Sequence, residues 1–152
     1  MAYATVDQIR QEAGFTGNTN ITDPNIQDHQ SRATNLINSY VYAKYPKDTL
    51  ATNFSGSPAA DMLELIEVQL AAGYLLLAEY GPDVDGDKNG NNKVGMAMAL
   101  LKDIKKGDAK LFDSNGDEFG QNSQSSSTPN LPKWTGPSTT DSPRKFSVDD
   151  EY

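Results

Sequence analysis

The segment SPAADMLELIEVQLAAGYLLLAEYGP, Ser57 to Pro82, limits the possible folds more than any other part of the chain. Ser57 is a residue type that caps helix N-termini, and Pro58 fits a first helical turn, where its missing N–H goes unused. Met62, Leu63, Ile66, Leu70, Tyr74 and Leu77 recur along one face at helical spacing. Leu65, Val68, Leu75 and Leu76 widen that face, so a helix here must be covered on several sides. Gly81-Pro82 stops it. The most apolar part, Leu70 to Ala78, is too short to span a bilayer and is flanked by Glu67 and Glu79. The pattern predicts the central helix of a bundle.

Three further helices follow from the same reasoning. Thr5 with Gln8 forms a capping box for a short helix ended by Gly14. Thr22-Asp23-Pro24 opens the next, and Ile26, Ala33, Leu36, Ile37, Tyr40, Val41 and Tyr45 form its apolar stripe, ending before Pro46. This helix and the central one each come to roughly 30–35 Å at the usual rise. The last runs from about Lys93 to Lys106, with Met96, Leu100, Leu101 and Ile104 apolar, three lysines near its C-terminus and Gly107 beyond it. In KLFDSNGDEF, Asn115-Gly116 sits between two short apolar runs, a β-hairpin signal. The expected fold class is all-α: a small bundle of about four helices with a short β-hairpin and a long extended C-terminal tail.

That tail begins where the composition changes. Residues 1–119 are patterned and form the helical body with its terminal hairpin. Residues 120–152 are rich in Ser, Thr, Pro, Asn and Gln, a low-complexity composition that buries too little apolar surface for a core of its own. Its scattered apolar residues include Leu131, Trp134, Phe146, Val148 and Tyr152. Isolated aromatics in a polar segment suit interface anchors. Leu131, Trp134, Phe146 and Tyr152 are therefore assigned to a tail that docks on a partner, with Trp134 as the main anchor.

Charge and composition narrow the functions. With 13 Lys+Arg against 21 Asp+Glu the net charge is −8, so the footprint of a nucleic-acid binder is missing. Through Gly120 there are 10 basic and 17 acidic residues, a net −7; the tail adds −1. There is no cysteine, hence no disulfide, thiol nucleophile or thiolate metal site. The opening MAYATVDQIR has neither a basic nor an apolar signal region, so a soluble protein made in a cytoplasm is expected, with no membrane partner.

DGDKNG, Asp85 to Gly90, resembles the front of a calcium loop, with Asp85, Asp87 and Asn89 at alternate positions and a glycine sixth. The twelfth position is Met96, which offers no oxygen where a bidentate glutamate belongs. Asp, Gly and Asn are also what a solvated turn selects. No metal is expected, and Asp85, Asp87 and Asn89 are at most weak ligands. His29, the sole histidine, lies at the edge of an apolar stripe and reads as a boundary residue rather than a base. Acids such as Glu64 and Glu67, and Asp149-Asp150-Glu151, read as solvated positions rather than an acid/base pair. No catalytic residue and no cofactor is assigned.

The order of these elements carries a resemblance. YATVDQIRQEAGF, then ITDPNIQDHQSRATNLINSYVYAKYP, then PAADMLELIEVQLAAGYLLLAEYG, then ALLKDIKKGDAKLFDSNGDEF, about residues 3–119, looks like the head–tail connector (adaptor, head completion) proteins of tailed bacteriophages. The Asp/Asn/Gly loop at 83–92 and the long tail depart from the shorter forms. The resemblance implies a non-enzymatic structural protein of the virion neck, assembled in the host bacterial cytoplasm. It implies a homo-oligomeric ring, usually of twelve copies, that sits beneath the portal protein. Such a ring extends the channel for packaged DNA without binding it specifically, and it meets a downstream neck or tail protein. A C-terminal segment commonly grips the portal. The alternatives are another neck or tail-completion protein, or a small calcium-responsive binding module.

Overall fold

The computed structural model describes residues 2–50, 53–82 and 86–120. The described chain is mostly helical: α1 (Val6–Glu12), α2 (Asp23–Val41), α3 (Lys47–Leu50), α4 (Pro58–Tyr80), a 3₁₀ turn (Gly86–Lys88) and α5 (Gly90–Lys106).

The cap signals act where the sequence places them. The Thr5 side chain accepts from Gln8 N while the Gln8 side chain takes the Thr5 N–H, a complete capping box. Ser57 Oγ accepts from Ala60 N at 3.1 Å. Thr22 departs from the rule, because its hydroxyl donates to Asn25 Oδ1 instead of accepting from the helix backbone. The start of α2 is fixed differently: Arg10 of α1 donates to Ile21 O at 2.7 Å and pairs with Asp23 at 2.5 Å.

As its apolar girth requires, α4 is the central element and packs against α1, α2 and α5. Leu63, Ile66, Leu70, Leu75 and Leu76 of α4 are buried with Ile9 of α1, Ile26, Ile37 and Val41 of α2, and Leu101 and Ile104 of α5. The α4–α5 contact depends on two glycines. A Cβ on Gly73 would stand 2.9 Å from the Gly90 carbonyl oxygen, and one on Gly90 would collide with the Gly73 carbonyl oxygen. With hydrogens at both positions the two backbones approach closely.

Four boundaries differ from expectation. α2 ends at Val41, and residues 42–45 turn so that Tyr45 N still bonds Val41 O at 2.8 Å. Pro46 disfavours helical geometry in the residue before it, while burial draws the Tyr45 ring inward. α3 is a single turn that the apolar pattern did not mark. α5 begins at Gly90 rather than Lys93, because the Asn89 side chain accepts from Asn92 N and caps it.

The fourth difference concerns the β-hairpin. Phe112 and Glu118 form one isolated antiparallel bridge, and no strand develops among the described residues. Leu111 and Phe119 are both buried, and Phe119 N bonds Leu111 O at 2.9 Å. The backbone N–H groups a longer ladder would need are spent elsewhere: Leu111 N donates to Tyr45 OH at 3.3 Å and Asp117 N to Asp113 Oδ1 at 3.0 Å. The Asn115-Gly116 turn itself forms, with Asp113 Oδ1 accepting from Asn115 N and Asp117 N.

Candidate functional site

The loop that resembles a calcium site is in part a helix start. Asn89 uses its side-chain oxygen on the α5 backbone, and Lys88 Nζ lies 4.7 Å from the centre of the Tyr80 ring. Asp85 and the side chain of Asp87 lie outside the described residues. Among the described residues no three His, Cys, Asp or Glu side chains gather to hold a metal ion.

His29 is half-buried on α2, above a shallow groove of about 450 Å³ that it lines with Arg32 and with Tyr74, Leu77 and Ala78 of α4. Its Nδ1 is buried without a hydrogen-bond partner among the described residues. Burial, and secondarily the Arg32 charge, hold the imidazole pKa below its ordinary 6.5, so the neutral ring is favoured.

The sequence reading is corrected at Glu67. It does not lie on a solvated face; its exposure is 0 %. Its carboxylate accepts from Tyr3 N at 2.7 Å, from Ala4 N at 2.5 Å and from the Thr34 hydroxyl. Gln30 Nε2 donates to Ala4 O at 2.6 Å, and Tyr3 OH donates to Asn38 Oδ1 at 2.7 Å. Gln30, Thr34 and Asn38 are four residues apart on α2 and form a polar seam that clamps the N-terminal segment onto α4. Burial is the main cause of the raised Tyr3 phenol pKa. That four-residue polar spacing beside the apolar stripe was the available signal. Glu64 is half-buried and takes a hydrogen bond from Gln8 Nε2.

A second groove, of about 430 Å³, runs between α1 and α4. Val68 and the 54 % exposed Leu65 supply its apolar lining; Glu12, Asp61 and Glu64 supply carboxylates. Glu12 is engaged by Lys93 and by Gln69, whose Nε2 is 2.9 Å away, and the Lys93 bond is the main cause of its lowered pKa. Neither Asp61 nor Glu64 meets a cationic side chain among the described residues. At the 111–119 loop, Glu118 is shared by Lys110 at 2.8 Å, Lys44 at 3.6 Å and Tyr45 OH at 3.3 Å. Phe112 and Met96 are exposed, at 39 % and 67 %.

The tail residues Leu131, Trp134, Phe146 and Tyr152 lie outside the described residues. No described helix is long and apolar enough to cross a membrane. The polar side chains described here tie segments together and line two open grooves, an arrangement suited to holding a surface in shape. Compared with known proteins, the chain matches no family model, no curated protein and no solved structure.

Proposed function

We propose that this chain is a structural head–tail adaptor of a tailed bacteriophage, a non-catalytic component of the virion neck. Twelve copies form a ring beneath the portal, extend the DNA channel and join it to a downstream neck or tail protein. Residues beyond Gly120 form a docking arm that grips the portal, with Leu131, Trp134, Phe146 and Tyr152 as its candidate anchors.

The observation that carries this reading is the order of capped helices. A boxed α1, a Pro-started α2 and an apolar Pro-started central α4 fall on the segments that carry the resemblance, and a Gly-ended α5 and the Asn115-Gly116 turn follow them. The charge is compatible with the role. A net −7 over the body repels phosphate and lets a duplex slide through a ring rather than stick to it. Many copies of a polar arm on one symmetric partner gain avidity that a single arm lacks, and a heterologous contact between neighbours closes as a ring.

The test is direct. Purified chain is mixed with portal protein and imaged by electron microscopy, alongside a chain lacking residues 121–152. Rings capped by the full chain and bare portals with the truncated chain are expected. A chain that stays monomeric and never binds portal overturns the proposal, and binding to a different neck component reassigns it within the neck.

A further inference from the structure

The α1–α4 groove and one stretch of the tail are chemically complementary. The groove places apolar Leu65 and Val68, three residues apart on α4, beside Asp61 and Glu64, which no cation meets among the described residues. In the tail, Leu131-Pro132-Lys133-Trp134 places two apolar side chains three residues apart around a lysine. We propose that the α1–α4 groove of one copy receives the Leu131–Trp134 segment of a second copy of this chain.

The chemistry favours this occupant. Trp134 supplies a large apolar surface with few rotatable bonds, the usual anchor of a small interface. In this contact Lys133 meets carboxylates that no cationic side chain reaches among the described residues, and a partner of opposite sign is drawn to a body of net −7. Pro132 restricts the segment before binding and lowers the ordering cost. At about 430 Å³ the groove falls in the range of roughly 300–1,000 Å³ that holds compact ligands. Reach is sufficient as well. Residues 121–130 separate Gly120 from Leu131 and span at most about 35 Å, comparable to the length of α4. The contact rests on the adaptor reading, in which copies lie side by side. It assigns the first anchor of the arm to the neighbouring copy and leaves Phe146 and Tyr152 for the portal.

A fluorescein-labelled peptide of residues 128–137 is titrated with full-length Trp134→Ala chain, whose own segment no longer competes, and anisotropy is read. Saturable binding is expected, weakened about tenfold or more by Leu65→Lys or Asp61→Lys in the receptor. A Lys133→Glu peptide should bind the Asp61→Lys receptor better than the unchanged one. Leu65 and Asp61 are exposed, so both variants should fold, and circular dichroism checks this. Binding indifferent to Leu65→Lys, no binding at millimolar receptor, or preferential seating of a 141–150 peptide overturns the inference. Portal co-sedimentation is scored separately. Portal binding without groove binding removes this contact alone; groove binding without portal binding removes the adaptor reading alone.

Discussion

The Thr34 hydroxyl on α2 donates to the Glu67 carboxylate on α4, and the same fully buried carboxylate receives the backbone N–H groups of Tyr3 and Ala4. One side chain thereby joins the N-terminal segment to both long helices. Glu67→Ala strands two donors, the Tyr3 and Ala4 N–H groups, each costing about 1–3 kcal/mol when buried unpaired, while the Thr34 hydroxyl keeps Gln30 O as an acceptor. Urea unfolding should show a loss of about 3 kcal/mol or more, and hydrogen exchange should show early opening at Tyr3 and Ala4. Glu67→Gln keeps an acceptor and should lose about 1 kcal/mol.

Gly90 and Gly95 lie on the same helix but should respond to alanine in opposite directions. A methyl at Gly90 meets the Gly73 carbonyl and the Leu77 side chain, whereas one at Gly95 meets nothing within 4 Å. Gly90→Ala should therefore destabilise by about 2 kcal/mol through overpacking. Gly95→Ala should stabilise by about 0.5–1 kcal/mol through helix propensity. Denaturant midpoints of the two variants decide the matter; equal shifts would mean that α4 and α5 are not in close contact.

The depressed His29 pKa predicts the sign of one pH effect. The folded chain binds that proton less tightly than the unfolded chain, whose histidine titrates near 6.5. The stability it brings is thus complete above 6.5 and declines as pH falls through 6.5 towards the folded value. The lowered Glu12 pKa acts in the same direction further down, its stabilisation being lost below about 4.5. His29→Gln should flatten the stability profile just below 6.5 and leave the acid limb unchanged, as read by urea midpoints from pH 7.5 to 4.

Asn89→Ala tests the cap against the calcium reading. Removing the acceptor for Asn92 N should cost about 1 kcal/mol. The loss should be the same with and without calcium; a thermal shift present only in calcium would restore the metal site.

Asp113→Ala should loosen the 113–117 turn, since its carboxylate organises both the Asn115 and Asp117 amides. Those hydrogen bonds also hold the carboxyl below its ordinary 3.8. Faster amide exchange at 115 and 117, with the helices unaffected, is the expected result.

Much of this fold was legible because helix starts rest on local chemistry: Thr5 with Gln8, Ser57 with Pro58, and a 3.6-residue apolar period need no knowledge of distant contacts. Glu67 was misread for the opposite reason. Its surroundings are set by residues 33 and more positions away, and on α4 alone it looks like any acid among leucines. The hairpin signal was half informative. Turn chemistry lies in Asn115-Gly116, but strand length depended on the Leu111 N–H, which goes to the distant Tyr45 hydroxyl, a bond no local pattern records. Of the candidate site residues, Asn89 proved to be a cap. The α1–α4 groove escaped notice because helical periodicity marks buried faces, not the exposed edges where two helices meet.

The 111–119 loop has a mechanical consequence. Tyr45 OH accepts from Leu111 N, Glu118 is fastened by two lysines, and Phe119 is inserted in the core one residue before Gly120. A pull applied beyond Gly120 therefore loads this knot first. It passes into the end of α2 through Tyr45 and into the start of α4 through the Ala59–Phe112 bond. A load entering at Gly120 is thus delivered to the two longest helices among the described residues rather than to a hinge.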